Sequence, residues 1–389
     1  MSRIQCSRRA RRAVVVVFVL CVLAGATAVR GEGRIPCTEA ALLDAIDTAN
    51  AAGGGTIRFD CRDEVIPMTG GLGVIWDHVV LDGEDRRISL EYVGPFEGCV
   101  TGDNGIGAPA IARMRGSESV IRGLWFRNFL ESLQVEGPAN RVEDSFFLGH
   151  PCSDDGISTI DVRAMDTVIH GNLLLDYEDK ALQMSFGGGV IQKNIFVDTR
   201  QPIRGPYDNR AGGVFSILDN WFGTRGDRSR CDGVRLDGAY RVEFGRNTVR
   251  CWRGLRVGGT TEIAVHDNRI EGNGHVGVRV GGDAVAVLWN NIIQDNGFSS
   301  GSLPSGGVVV WENARVDLGG GELELDGQLF RSPGGNTLRR NGAGDLRNLR
   351  TDYVVPAEYN HWDGETFTEI EGDVEGLVDF DPFLTGSMR

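Results

Sequence analysis

Only two lysines stand in the 389-residue chain, Lys180 and Lys193, against thirty-eight arginines. Where a chain otherwise uses arginine, an isolated lysine supplies a compact ammonium with its charge at one point. Lys180 opens a stretch reaching Arg235 that holds nine basic residues (180, 193, 200, 204, 210, 225, 228, 230 and 235) and five acids, Asp198, Asp208, Asp219, Asp227 and Asp232. A local excess of about +4 inside a chain of net charge −14 suits an anionic ligand held at one place. An uneven scatter of turn charges is the plain alternative. Asp154 and Asp155 form an adjacent carboxylate pair, which is either the acid pair of a glycoside hydrolase or a turn before Gly156. His150, His170, His266 and His275 show no triad pattern and read as turn or surface residues.

These residues need a scaffold, and a repeat supplies it. A phrase of alternating apolar residues around a polar one, often Asn, recurs as Val168-Ile-His-Gly-Asn172-Leu-Leu, Val190-Ile-Gln-Lys-Asn194-Ile-Phe and Ile217-Leu-Asp-Asn220-Trp-Phe. The series continues through Asn247, Asn268 and Asn290, at intervals of 21 to 27 residues. Each apolar run is too short to stand alone and alternates with period two, the mark of a strand. Helical solenoids need longer amphipathic runs, and Gly and Asn disfavour helix interiors. The 56 glycines, about twice the usual share, fit many tight turns. The expected fold is therefore all-β: a single-stranded, right-handed parallel β-helix with coils over about 56–345. Recurring Asn at one corner is expected to take the left-handed turn conformation and to share side-chain hydrogen bonds up the stack.

A solenoid end exposes strand edges that must be covered. The segment 38–52, with Thr38 as N-cap and Leu42, Leu43 and Ile46 on one face, predicts a short capping helix. Residues 297–350 are the least regular, and 353–385 reads as a closing segment. Residues 1–28 read as a cleaved export signal: five arginines, an apolar run too short for a membrane span, then Ala26-Thr27-Ala28. An uncleaved membrane anchor is the alternative there. The mature domain, 29–389, is expected in the periplasm, at the cell surface or in the medium, as a monomer. Losing five arginines takes its net charge to about −19, which argues against nucleic acid and membrane as partners. Six remaining cysteines suggest disulfides, with Cys37–Cys61, Cys99–Cys152 and Cys231–Cys251 favoured because each pair is one or two coils apart.

The stretch 136–222 resembles the catalytic face of pectate lyases, β-helical enzymes that cleave polyuronates by β-elimination. Three ordered phrases carry the resemblance: Asp155-Gly-Ile-Ser-Thr-Ile160, Tyr177-Glu-Asp-Lys180-Ala-Leu, and Asn194-Ile-Phe-Val-Asp-Thr-Arg200-Gln-Pro-Ile-Arg204-Gly. The resemblance implies calcium held by Asp155 and Glu136. Thr159 stands where a second acid belongs, and Asp161 or Asp154 is the substitute. It further implies that Lys180 contacts the substrate carboxylate and that Arg200 takes the proton. Lys180, Arg204 and Arg210 would bind an anionic polysaccharide. The other readings are a glycoside hydrolase and a non-catalytic carbohydrate-binding β-helix.

Overall fold

A computed structural model describes residues 33–94, 110–129, 131–149, 158–185, 187–205, 211–299, 304–325 and 327–385. The expected export signal and the Cys99–Cys152 pairing lie outside these residues. Strands of mostly three to five residues pair in parallel with the same strand of the next coil, building three ladders around a narrow core. Two ladders join through the long strand Val234–Gly245, which contributes to both, and the third is a separate 12-stranded sheet.

Period two explains the core. In the 12-stranded sheet one column of partners reads Phe126, Phe147, Leu174, Phe196, Phe222, Val249, Ile270, Ile293 and Leu338, all buried. Phe126 and Phe147 stack at 5.0 Å, and Phe196 and Phe222 at 4.9 Å. A one-residue slip anywhere would turn such a column out to water.

The Asn series is a continuous buried ladder. Asn172 donates from its backbone N–H and its side chain to Asn194 Oδ1, at 2.9 and 3.0 Å. The same pair of bonds repeats through Asn220, Asn247, Asn268, Asn291, Asn336 and Asn360. Two expectations change here. The stacked residue is Asn291, not Asn290, and the left-handed conformation belongs to the residue before each Asn. Gly171, Lys193, Asp219, Arg246, Asp267, Asn290, Gly335 and Tyr359 all have φ between 54° and 75°. The turn and the stack are thus made by adjacent residues, which frees the ladder Asn for extended backbone.

The interval from Asn291 to Asn336 is 45 residues, yet the ladder crosses it unbroken. The excess is taken up partly by an antiparallel hairpin, Leu323–Leu325 with Gln328–Phe330. Its Leu323 and Phe330 pack on Val285 and Val287, outside the coil. A second ladder, Asn273–Asn296–Asn341, ends on the buried carboxylate of Asp345, which accepts from the Asn341 side chain at 2.7 Å.

The helix Glu39–Ala51 covers the first coil with Leu42, Ile46 and Ala49, and Leu43 is only half-buried. Thr38 caps it, accepting from the Ala41 N–H, an interaction worth about 1 kcal/mol. One strand, Gly33–Ile35, precedes the helix and already pairs with Gly55–Phe59. At the other end, strand pairing runs past 345: His361–Trp362 joins Thr337–Arg339, and Val374–Glu375 joins Leu346–Asn348. A short helix, Phe367–Gly372, with a Thr366–Glu369 capping box lies between them. Cys37–Cys61 and Cys231–Cys251 are bonded, as expected. Loops of 24 and 20 residues make each bond worth about 3 kcal/mol on chain-entropy grounds. No helix of the described residues is long and apolar enough to cross a membrane.

Candidate functional site

One outer face gathers most of the sequence-predicted residues. Its strands are Glu131–Val135, Ser158–Val162, Lys180–Met184 and Gln201–Arg204, followed by Val234 onward, Arg253–Gly259 and Val276–Val280. On these strands Leu182, Met184, Ile203, Leu236, Leu255, Val257, Val278 and Val280 point into the core. The residues between them must point out.

Lys180 begins its strand, level with Ser158 before it and Gln201 after it. Its side chain is only 7% exposed, and Nζ lies 3.1 Å from the buried Asp179 carboxylate. Burial beside a carboxylate fixes the ammonium at the start of the strand. Arg200 immediately precedes Gln201. Its N–H donates to Tyr177 O and its carbonyl accepts from Asp232 N. The Arg200 side chain lines a cleft of about 250 Å³ with Tyr177, Glu178, Asp198, Ser229 and Arg230. Arg204 closes the same strand, level with Gln183 and Arg235. Three residues of strand separate it from Gln201, about 10 Å. Lys180, Arg200 and Arg204 therefore stand on adjacent coils, Arg204 on the outward side of its strand and Lys180 buried at the start of its own, two residues before the core residue Leu182. Lys193, the other lysine, holds a left-handed turn position beside the Asn ladder and takes no part.

The acids behave differently. Glu136 accepts from Arg115 Nε at 2.8 Å, and Arg163 approaches its other oxygen at 3.8 Å. Asp161 is buried, paired to Arg163 at 2.6 Å, and accepts from the Ser185 hydroxyl at 2.5 Å. Both carboxylates already have cationic partners, and among the described residues no group of three or more Asp, Glu, His or Cys is placed to hold a metal ion. A calcium ion needs six to eight oxygen ligands, so this pair as it stands does not fit one. Thr159 is buried and hydrogen-bonds the Tyr177 hydroxyl, whose ionisation burial pushes well up. Position 159 is thus part of the interior packing. Asp154, Asp155 and Arg210 lie outside the described residues.

Sequence reading missed the rest of the face. One outward column runs in register through Gln134, Asp161, Gln183, Arg204, Arg235, Arg256 and Arg279. Four consecutive coils therefore present arginine. The signal was present: Val234-Arg-Leu236, Leu255-Arg-Val257 and Val278-Arg-Val280 each flank Arg with core residues, 21 and then 23 residues apart. Arg235 pairs with Asp237, and Arg279 lies over the Trp311 ring at 4.0 Å. Burial and the neighbouring Arg256 push the Arg279 guanidinium down to about 10, and Arg256 is lowered by burial and by Arg235. Beside them, Arg253 bonds both oxygens of Asp232 through Nη1, at 2.7 and 2.9 Å.

Two of the four histidines, His266 and His275, were misjudged; His170 is half-buried at a strand end and His150 lies outside the described residues. His275 is buried, and burial, then Arg253, Arg279 and Arg256, hold it below its ordinary value. It is therefore neutral near pH 7. His266 is buried too, stacked on Trp289 at 4.7 Å with Asp267 and Glu243 at its two nitrogens. His266 ends the strand Glu262–His266 and His275 lies in the bend just before Val276–Val280, each beside an aromatic ring, Trp289 and Trp252 respectively, which a one-dimensional pattern does not show.

No protein-family model matches the chain, and no curated protein matches it. Among solved structures, it is similar to the A-modules of two Azotobacter vinelandii mannuronan C-5 epimerases, AlgE4 and AlgE6. Each is 13% identical with a TM-score of 0.48, over 90% of this chain and 95% of theirs. It is also similar to a mannuronic acid specific polysaccharide family 6 lyase from human gut microbiota, 12% identical with a TM-score of 0.42, over 90% and 91% of the two chains. At TM-scores below 0.5 none of these likenesses assigns a residue or an activity to this chain, which is described by its own fold: a parallel β-helix with one arginine-rich outer face.

Proposed function

We propose that the protein is a polysaccharide lyase that cleaves a polyuronate by β-elimination on the face bearing Lys180, Arg200 and Arg204. The observation that supports this reading is the placing of those three cations on adjacent coils of an otherwise acidic protein, with Arg200 lining a cleft and Lys180 held beside Asp179. β-Elimination removes the proton α to the uronate carboxylate and expels the 4-O-glycosidic oxygen. Charge builds on the carboxylate as the proton leaves, and fixed cations stabilise that charge more than the ground state. Lys180, held by Asp179, supplies one; Arg204 supplies another.

Arg200 receives the α-proton in this reading. Arginine is a poor base because it stays protonated in water. To accept the α-proton its guanidinium must first give up a proton of its own, and Glu178 in the same cleft is the carboxylate to take it, since Asp198 is engaged by Arg225. Calcium enters only through Asp154 and Asp155, because Glu136 and Asp161 are engaged by Arg115 and Arg163; no step is routed through it.

The test uses the mature protein with polygalacturonate, alginate and neutral glycans, with calcium and then with chelator. Ultraviolet absorbance from an unsaturated uronate end is expected, and Lys180→Ala and Arg200→Ala should each lower the rate about 100-fold or more. New reducing ends without that absorbance would make the enzyme a hydrolase, and neither signal would remove catalysis. Turnover lost on chelation and restored by calcium would show that a metal is needed, and Asp154→Ala and Asp155→Ala then test whether those carboxylates hold it. Turnover that survives leaves the side-chain cations to neutralise the carboxylate.

A further inference from the structure

Arg256 and Arg279 stand in a state that folding alone does not explain. They are register partners on neighbouring coils, about 4.8 Å apart at the backbone. Arg256 has no hydrogen-bond or ion-pair partner among the described residues, and Arg279 is held by an aromatic ring rather than a carboxylate. Both line a cleft of about 200 Å³ with Gly258, Gly282, Asp237 and Glu312, Asp237 being the carboxylate paired with Arg235. Glu312 is turned to the Gly282 N–H instead of to either guanidinium. Arg253 has a buried Nε with no partner, and His275 a buried Nδ1 with none. Two adjacent, half-buried, like-charged forks repel each other. The nearby Asp237 and Glu312 offset that repulsion only in part, and among the described residues neither is ion-paired with either fork. An anion bound between the forks would relieve it further.

We infer that Arg256 and Arg279 form an anion subsite that holds a carboxylate of a linear acidic polysaccharide lying along the helix axis from the Lys180 coil to the Arg279 coil. This deepens the polyuronate reading and rests on it. The column Arg204, Arg235, Arg256, Arg279 offers one fork per coil, and a coil advances about 4.8 Å, the scale of one sugar in an extended polymer. Four strand steps separate the Lys180 strand from the Arg279 strand, about 19 Å. A chain of roughly four or five sugars spans that length, so shorter oligomers reach Lys180 or Arg279 but not both.

Binding of uronate oligomers of two to eight sugars is measured by calorimetry, with Arg200→Ala present throughout to stop cleavage. In that background affinity should rise with length and level off near five sugars. The Arg256→Ala/Arg279→Ala double variant should bind long oligomers about 10- to 100-fold more weakly, with a shallower dependence on salt, and lose the rise of affinity with length. It should also melt no lower than its parent, because a repulsion has been removed; this separates lost binding from lost folding. Arg256→Lys/Arg279→Lys keeps charge but not the planar fork, and should recover only part of the loss. Long-oligomer affinity equal to the parent's overturns the subsite, even if lyase turnover is found. Length-dependent binding lost in the double variant, in a protein whose unmodified form shows no turnover, keeps the subsite and overturns the lyase. Affinity for dextran sulfate alone, with none for any uronate, overturns the carboxylate assignment.

Discussion

Asn220→Ala should destabilise the protein by about 3 to 5 kcal/mol, read as the denaturant midpoint or the melting temperature. Asn220 Oδ1 accepts from both the N–H and the side chain of Asn194. Its own N–H and side chain donate to Asn247 Oδ1, and the side chain also reaches Ile191 O. All of these groups are buried among apolar neighbours. Alanine would leave the Asn194 N–H without its acceptor and remove the side-chain bonds to Asn194, Asn247 and Ile191. The N–H at position 220 still serves Asn247 Oδ1, and the Asn194 amide keeps Ile169 O and Gln192 O. Each lost bond costs about 1 to 3 kcal/mol less whatever relaxation recovers. Asn220→Asp keeps the acceptor and the backbone N–H and loses only the side-chain donor, so it should fall between. A loss below about 1 kcal/mol for alanine would mean that water replaces the amide and that the ladder is not what fixes the coil.

The second large effect depends on pH. Asp345 ends the shorter Asn ladder, almost wholly buried, and burial with help from Asp373 raises its carboxyl to about 7 against the pull of Asn341. Its Oδ2 is buried without a partner. A carboxyl raised on folding favours the protonated protein. That contribution is complete below the unfolded value, near 3.8, and is lost as pH climbs through about 7. Between pH 4 and pH 8 the native state should therefore lose about 2 to 4 kcal/mol through this one group. Asp345→Asn keeps an acceptor for Asn341 and cannot ionise. Its stability should change far less over that range and exceed the parent's at pH 8. Parallel pH curves for the two proteins would show that Asp345 is not the group responsible.

The sequence carried the fold well because the fold is repetitive. A strand of three to five residues is a weak signal, but the same strand a dozen times, marked by Asn at a steady interval, is a strong one. The Asn290 slip arose where two asparagines stand together and spacing alone cannot choose between them. The left-handed residues were assigned one place late because Asn is the expected occupant of such a turn, whereas here Lys193, Asp219, Arg246 and Asp267 occupy it.

The candidate site was legible only in part. Lys180 stood out by rarity. Arg256 and Arg279 did not, because one arginine among thirty-eight carries no information until strand register aligns it with others. Glu136 and Asp161 were read as free ligands because the arginines that engage them, Arg115 and Arg163, are remote in sequence or unremarkable in type.

The coil between Asn291 and Asn336 shows that pitch and girth are set independently in this molecule. Stacking of one corner fixes how far each turn climbs, while the path between corners can lengthen without disturbing the turns above or below. Here the extra length folds back as a hairpin and shields Val285 and Val287. A sequence that keeps its corners can therefore accept foreign segments at that edge. The wall would gain a new relief, and the arginine column on the other ladder would keep its alignment.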